Sequence, residues 1–355
     1  MDKFISKLNF DFETNQLILK SISKIDSFKG KWNLVERKEN RYLKELRTIA
    51  TIESIGSSTR IEGAKLSNQE IKELLGKVRI TAIKTRDQQE VAGYHDVLEL
   101  IFENHFNLNL SKNYIQQLHQ NLLKYSSRDE RHRGSYKHLS NKVVANYPDG
   151  TQKVIFDTTE PHLVESDMDE LIEWTNLQLN SESLHPLLVI GCFIYEFLSI
   201  HPFQDGNGRL SRLLTNLLLL KKDYLFIQYV SFENLIEQKK KIYYEALMDG
   251  QKDRNSGSEK INHWILFFLQ SLEVLTERLE QKYDVYKSKG GYLNERQKIV
   301  KEFIKNQQPV RLSDLAAAMT GVTIHTLKKD LQYLKSEQII QSIGKNKGTL
   351  YLMKE

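Results

Sequence analysis

Two apolar runs dominate the middle of the chain, Leu187–Ile200 and Leu213–Leu220, and neither carries a cluster of Gly or Pro. Such runs predict buried helices rather than strands. The polar residues between them, 201–212, predict a loop gripped by two core helices. Elsewhere apolar positions recur at helical spacing. Arg41–Ile55, Gln88–Phe106, Asn113–Tyr125, Asp167–Asn180 and Phe232–Met248 read as amphipathic helices, and Lys260–Lys287 as a long helix, apolar early and charged late. Ser67 with Glu70 three residues on predicts a capped helix start. Lys142–Phe156 alternates around Tyr147-Pro148-Asp149-Gly150, which predicts a hairpin. The polar segment 131–137 before it reads as a loop. The expected fold class is mainly α, with one short β-hairpin and a separate C-terminal domain.

That last part begins after the linker Ser288-Lys289-Gly290-Gly291. Helices are expected over Arg296–Ile304, from Leu312, and over Ile324–Leu334, the last capped by Thr323. Short strands are expected at Ile339-Ile340 and Thr349–Leu352. Helix-turn-helix followed by a basic hairpin resembles a winged helix. Its exposed residues would be His325, Thr326, Lys328 and Lys329 on the recognition helix, with Lys345 and Lys347 at the wing. The expected domains are therefore 1–110, an N-terminal helical region; 111–287, a core; and 291–355, the winged helix.

Charge sharpens this division. Residues 291–355 hold eleven Lys and Arg against six Asp and Glu, an excess equal to the whole net charge of +5. The basic character belongs to one end, which makes DNA a candidate partner there, with protein interaction or homodimerisation as the other use of such a module. The single cysteine, Cys192, excludes an internal disulfide and suits a reducing compartment. The N-terminus has no basic and apolar leader pattern, and no clean apolar span of about 20 residues occurs, so no membrane partner is expected and the location is expected to be cytoplasmic.

The loop carries the chemistry. Gly206 and Gly208 allow the backbone to approach a ligand and present N–H groups. The helix starting there favours an anion at its N-terminus. Arg209 and Arg212, three apart, share one face and would cradle a polyphosphate. Asp205 suits Mg²⁺ held jointly with phosphate oxygens, and Asn207 can donate its amide to a phosphate. Phe203 would pin the loop into the core. His201, followed by Pro202, could take a proton from a hydroxyl. No G-K-[ST] follows, so a Walker-type loop is excluded. His185 and His201 lie too far apart for one helical face, which argues against zinc.

The stretch His201-Pro202-Phe203-Gln204-Asp205-Gly206-Asn207-Gly208-Arg209-Leu210-Ser211-Arg212 resembles the Fic family signature H-P-F-x-[D/E]-G-N-G-R-x-x-R at every fixed position. The resemblance implies protein adenylyltransfer: AMP passes from ATP to a Ser, Thr or Tyr hydroxyl of a target protein. It implies His201 as general base and Gly206, Asn207 and Gly208 as an anion hole. Asp205 would hold Mg²⁺, and Arg209 and Arg212 the β- and γ-phosphates, with Leu210 and Ser211 in the same nucleotide-binding stretch.

Upstream, Ser58, Glu62 and Gly63 resemble the family's inhibitory motif [S/T]-x-x-x-E-[G/N]. Glu62 would pair with Arg212 and take the place of the γ-phosphate. The hairpin resembles the family's flap, which pairs with a target's main chain, and Val154, Ile155 and Phe156 are its expected contact residues. Tyr243-Tyr244-Glu245-Ala246-Leu247 resembles Y-Y-x-x-L, placing Tyr244, then Tyr243, near adenine, with Gln251 offering an amide to the base. Lys239-Lys240 stand where the family often has Asn-Arg. The alternatives are removal of AMP or another nucleotidyl transfer by the same loop, and a DNA-binding regulator with a nucleotide-sensing core.

Overall fold

A computed structural model describes residues 3–36, 41–76, 83–146, 152–254, 256–288, 293, 295–336, 339–344 and 348–354. They are mainly helical, with a two-stranded and a three-stranded sheet. The chain forms two compact units, Met1–Leu279 and Glu280–Glu355.

The first unit opens with α1 (Lys3–Lys7), α2 (Phe12–Glu36), α3 (Arg41–Ile61), α4 (Asn68–Gly76), α5 (Arg86–Asn104) and α6 (Lys112–Leu122). The hairpin follows, β1 (Lys142–Asn146) and β2 (Gln152–Asp157). Then come α7 (Pro161–Ser181), α8 (Pro186–Ile200), α9 (Asn207–Lys221), a 3-10 turn, α10 (Phe232–Gln238), α11 (Lys240–Gly250) and α12 (Asn262–Ser288), whose residues from Glu280 on belong to the second unit. The two apolar runs are α8 and α9. Their side chains, among them Phe193, Phe197, Leu213 and Leu217, are buried almost completely. α7 packs on α8, and α5 on α9. Gly93 lets α5 and α6 touch, because a methyl there would overlap the Leu122 carbonyl.

Three elements differ from expectation. α3 continues past Ile55 to Ile61, because Ser57, Ser58 and Thr59 are buried rather than solvated and Thr59 Oγ1 bonds back to the Ile55 carbonyl at 2.9 Å. It stops before Gly63, whose φ is 111°. The expected helix 232–248 is two, broken at Lys239. α7 starts at Pro161, whose fixed φ suits a first turn. The Ser67–Glu70 capping box is present, with Ser67 N–H donating to Glu70 at 2.8 Å. The hairpin is antiparallel with an irregularity between Val143 and Val144, and its expected turn at 147–150 lies outside the described residues.

The second unit contains α13 (Glu295–Gln307), β3 (Val310–Arg311), α14 (Leu312–Ala318), α15 (Ile324–Ser336), β4 (Ile340–Ile343) and β5 (Leu350–Met353). The sheet order is β3-β5-β4, antiparallel, and β3 was not foreseen. Val300, Ile304, Leu315, Leu327, Leu331 and Leu334 form its core. His325, Lys328 and Lys329 are exposed and Thr326 is half-buried, its N–H capped by Thr323 Oγ1 at 3.2 Å. Lys345 and Lys347 lie outside the described residues. Among the described residues no helix is long and apolar enough to cross a membrane.

Candidate active site

α8 ends at His201, where φ of 54° and ψ of 60° turn the chain into the left-handed region. The His201 N–H still closes on the Phe197 carbonyl at 2.9 Å, and Pro202 prevents the helix from continuing. The ring folds back so that Nδ1 lies 3.1 Å from the Leu198 carbonyl. A carbonyl only accepts, so Nδ1 carries the proton and Nε2 keeps its lone pair. Burial pushes the imidazole pKa down to about 4; the bond to Leu198 opposes this, Lys137 adds to it, and Glu62 and Asp205 oppose it. The neutral ring with a basic Nε2 is the form that can accept a proton.

The loop is closed by its own backbone and one amide. Phe203 N–H donates to Asn207 Oδ1 at 2.9 Å, and Asn207 Nδ2 donates to the Phe203 carbonyl at 2.6 Å. Asn207 is 1% exposed, so its amide shapes the loop, a different use from the expected donation to phosphate. Gly206, at φ 81°, turns the chain into α9. Phe203 is fully buried, as expected, and stacks on His119 at 3.8 Å. His119 Nδ1 accepts from Gly134 N–H at 2.9 Å, so Nε2–H donates to the Asp205 carbonyl, also at 2.9 Å. Burial, foremost, pushes its pKa to about 4.

Charges cluster at the start of α9. Asp205 Oδ1 accepts from Gly206 N–H at 2.6 Å and from Arg209 Nη2 at 3.3 Å, while Arg86 Nη2 lies 3.8 Å from Oδ2. Burial pushes the Asp205 carboxyl up, but Arg209, the Gly206 N–H and Arg86 together hold it below the usual range. Arg209 is 1% exposed. Its Nη1 lies 3.5 Å from Glu90 Oε2, and among the described residues Nε and Nη1 have no hydrogen-bond partner. Arg212 donates from Nε to Ser58 Oγ at 2.8 Å and from Nη2 to the Ser58 carbonyl at 3.0 Å and Glu62 Oε1 at 2.8 Å. A methyl at Gly208 would overlap the Glu62 carboxylate. Glu62 thus sits against the first turn of α9, where helical N–H groups favour an anion. The end of α3 is anchored by Arg60, which donates to both Glu237 oxygens at 2.7 and 3.0 Å, and by Lys240, which donates to the Ile61 carbonyl at 2.8 Å.

These groups line a cavity of about 260 Å³. His201, Asp205, Gly206, Asn207, Gly208, Arg209, Arg212, Glu62, Tyr243 and Tyr244 all reach it. Ser58 stands behind Arg212, and Gly63 ends α3. Other expected residues do not line it. Leu210 and Ser211 lie on the inward side of α9, where Leu210 is 0% exposed and Ser211 Oγ bonds the Gly208 carbonyl at 2.8 Å. Gln251 is held by α8, its Nε2 donating to Tyr195 Oη at 2.8 Å and Ser199 Oγ at 2.7 Å. Lys142, Val143 and Val144 of β1 form the hairpin's wall of the cavity; of the three residues expected to contact a target, Val154 is exposed and Ile155 and Phe156 are buried. A larger groove, about 530 Å³, opens on the other face of α11.

Arg86, Glu90, His119, Lys137, Asn141 and Thr158 are functional neighbours that the sequence reading missed. His119 alone left a signal, as an imidazole among Ile115, Leu118 and Leu122 on the apolar face of α6. No group of three or more His, Cys, Asp or Glu among the described residues could hold a metal by itself. Asp205 offers one carboxylate, which suits Mg²⁺ brought in on phosphate oxygens.

The family model of the Fic/DOC family matches residues 109–219. This chain carries a Fic/DOC domain. The matched Fic segment contains His201–Arg212, whereas Glu62, Tyr243 and Tyr244 lie outside it. A Fido domain-containing protein of Dictyostelium discoideum is 36% identical over 74 residues, 21% of this chain and 52% of that protein. A protein adenylyltransferase Fic of Drosophila virilis is 46% identical over 57 residues, 16% of this chain and 12% of that protein. The chain thus spans about half or less of these curated relatives. A Fic family protein from Desulfovibrio desulfuricans G20 shares the fold over 95% of this chain and 96% of its own, with TM-score 0.63 and 19% identity. A Fic domain containing signaling protein from Bacteroides thetaiotaomicron covers 79% of this chain and 99% of its own, with TM-score 0.57 and 22% identity.

Proposed function

We propose that this Fic domain transfers AMP from ATP to a Ser, Thr or Tyr hydroxyl of a target protein, and that Glu62 restrains the reaction. The observation that carries the reading is the meeting, in one cavity, of a His201 Nε2 lone pair with the buried guanidinium groups of Arg209 and Arg212. The attacking hydroxyl forms a bond to the α-phosphorus and gives its proton to His201 Nε2. The bond to the β-phosphate oxygen breaks, and pyrophosphate leaves. Arg209 and Arg212 take phosphate oxygens, and Tyr243, Tyr244 and Leu247 offer an apolar end for adenine. Asp205 would hold Mg²⁺, which neutralises phosphate charge. Positioning and charge stabilisation supply most of the rate.

The brake reading rests on Glu62 lying against Gly208 and Arg212, where a terminal phosphate would bind. With Glu62 in place the cavity is smaller than the roughly 300–1,000 Å³ usual for ligand sites. The relatives' naming as adenylyltransferases supports the chemistry over the 57 residues shared. A cytoplasmic setting suits the single, buried Cys192.

Incubation of the protein with ATP labelled on the α-phosphate tests the reading. Label should appear on protein, and γ-label should not. Loss of AMP from a modified target, without transfer, would favour the reverse reaction. A second reading is DNA binding by the C-terminal unit, favoured by His325, Lys328 and Lys329 standing exposed on one helix. Its element order suits a winged helix with α15 as the recognition helix. A gel shift with and without residues 291–355 tests it.

A further inference from the structure

Lys137 is 3% exposed, yet among the described residues no carboxylate forms an ion pair with it; Glu160 attracts it through space. Burying an ammonium without a counter-ion is costly. This one is satisfied by neutral oxygens. Its three N–H donors reach Asn141 Oδ1 at 2.8 Å, Thr158 Oγ1 at 2.6 Å and the Ile200 carbonyl at 3.2 Å. Its backbone N–H donates to the Pro202 carbonyl at 2.8 Å. One residue therefore holds the carbonyls on both sides of His201. The same cluster grips the next turn of the loop, because Asn141 Nδ2 donates to the Phe203 carbonyl at 2.9 Å. Asn141 immediately precedes β1 and Thr158 immediately follows β2, and Thr158 Oγ1 lies 2.6 Å from Asn141 Oδ1.

We propose that Lys137 is a positioning residue for the His201 base, and that through Asn141 and Thr158 it ties that base to the root of the β1–β2 hairpin. A displacement of the hairpin by a docked polypeptide then reaches the histidine through three bonded side chains. The left-handed backbone of His201, uncommon for a non-glycine residue, is held by this clamp. The ammonium also adds to burial in keeping the ring neutral. The charged groups that act on His201 are Lys137 from the segment before β1, Glu62 from the turn after α3 and Asp205 from the loop, and Lys137 alone of these favours the neutral ring. The inference rests on the adenylyltransfer reading for its kinetic consequence only.

The test compares Lys137→Met, Lys137→Arg and Asn141→Ala in the full chain. The His201 titration is read by NMR on ¹³C-histidine-labelled protein, beside ATP affinity and labelled-AMP transfer. Lys137→Met should raise the His201 midpoint and lower kcat roughly 100-fold, the cost of a small misplacement, with ATP affinity unchanged. Lys137→Arg should keep the midpoint. Asn141→Ala should leave the midpoint unmoved but lower kcat, since it loosens the hairpin without removing charge. An unmoved midpoint and an unchanged kcat in Lys137→Met would overturn the proposal. If Lys137→Met does not fold, an unchanged kcat in Asn141→Ala overturns the link to the hairpin. If the parent protein transfers no AMP, the proposed function fails while the titration still decides the role of Lys137.

Discussion

Glu62 Oε1 and Arg212 Nη2 lie 2.8 Å apart although 150 residues separate them in the chain. The pair joins the end of α3 to the second turn of α9 at the place where the first turn of α9 would receive an anion. Removing the carboxylate takes away the one acidic partner of Arg212 among the described residues and uncovers Gly208, while leaving the Ser58 bonds and the Arg60–Glu237 anchor intact. Glu62→Gly should therefore raise labelling of the protein by α-labelled ATP at least about tenfold, equivalent to roughly 1.4 kcal/mol of restraint. Equal labelling of the two forms would remove the brake from the account.

Ser58 carries a separate expectation. Its hydroxyl and its carbonyl hold two nitrogens of Arg212, and Arg212 is 2% exposed. Ser58→Ala removes one of these bonds to a charged donor, an interaction of about 1.5–3 kcal/mol. In the Glu62→Gly background the KM for ATP should rise about tenfold or more, with kcat changed less. A fall in kcat alone would show that Arg212 acts only after binding.

Stability should be most sensitive where helices touch without side chains between them. At Gly93 an added methyl meets the Leu122 backbone carbonyl, which cannot move without shifting α6. Gly93→Ala should destabilise the first unit by about 3 kcal/mol, the upper end for overpacking. Denaturant unfolding reads this directly. At Gly30, where a methyl meets nothing, the same change should be neutral or slightly stabilising.

The loop was legible because its chemistry is contiguous: His201 to Arg212 is one short string, and a string needs no folding to be read. Glu62 was legible through its own short motif. Within α9, Leu210 and Ser211 were misplaced because helical phase sends residues 208, 209 and 212 to the cavity and the two between them inward. Gln251 was misplaced because nothing local reveals that Tyr195 and Ser199 of α8 would claim its amide. In the hairpin, alternation showed two strands but not which one would face the cavity. Lys137, Asn141, Thr158 and Glu90 act on the loop from distant segments, and only packing brings them there.

Acid should weaken this fold over a window to which two buried histidines contribute. His119 and His201 are each held near pKa 4 in the folded chain, while an unfolded histidine titrates near 6.5. Between these values the unfolded chain binds more protons, so stability rises with pH. The contribution is complete above about pH 6.5 and is lost as pH falls toward 4. Each histidine adds a slope of about 1.4 kcal/mol per pH unit inside that window. His119→Gln keeps a donor for the Asp205 carbonyl and removes one titration, so it should lower the slope measured by urea unfolding between pH 5.0 and 6.0 by about 1.4 kcal/mol per pH unit. His201→Ala should lower it by the same amount and lower transfer by about 10²–10⁴-fold, with ATP still bound. A slope that neither variant reduces would show that both rings take up protons in the folded protein, and His201 would then be charged where the proposed chemistry needs its lone pair.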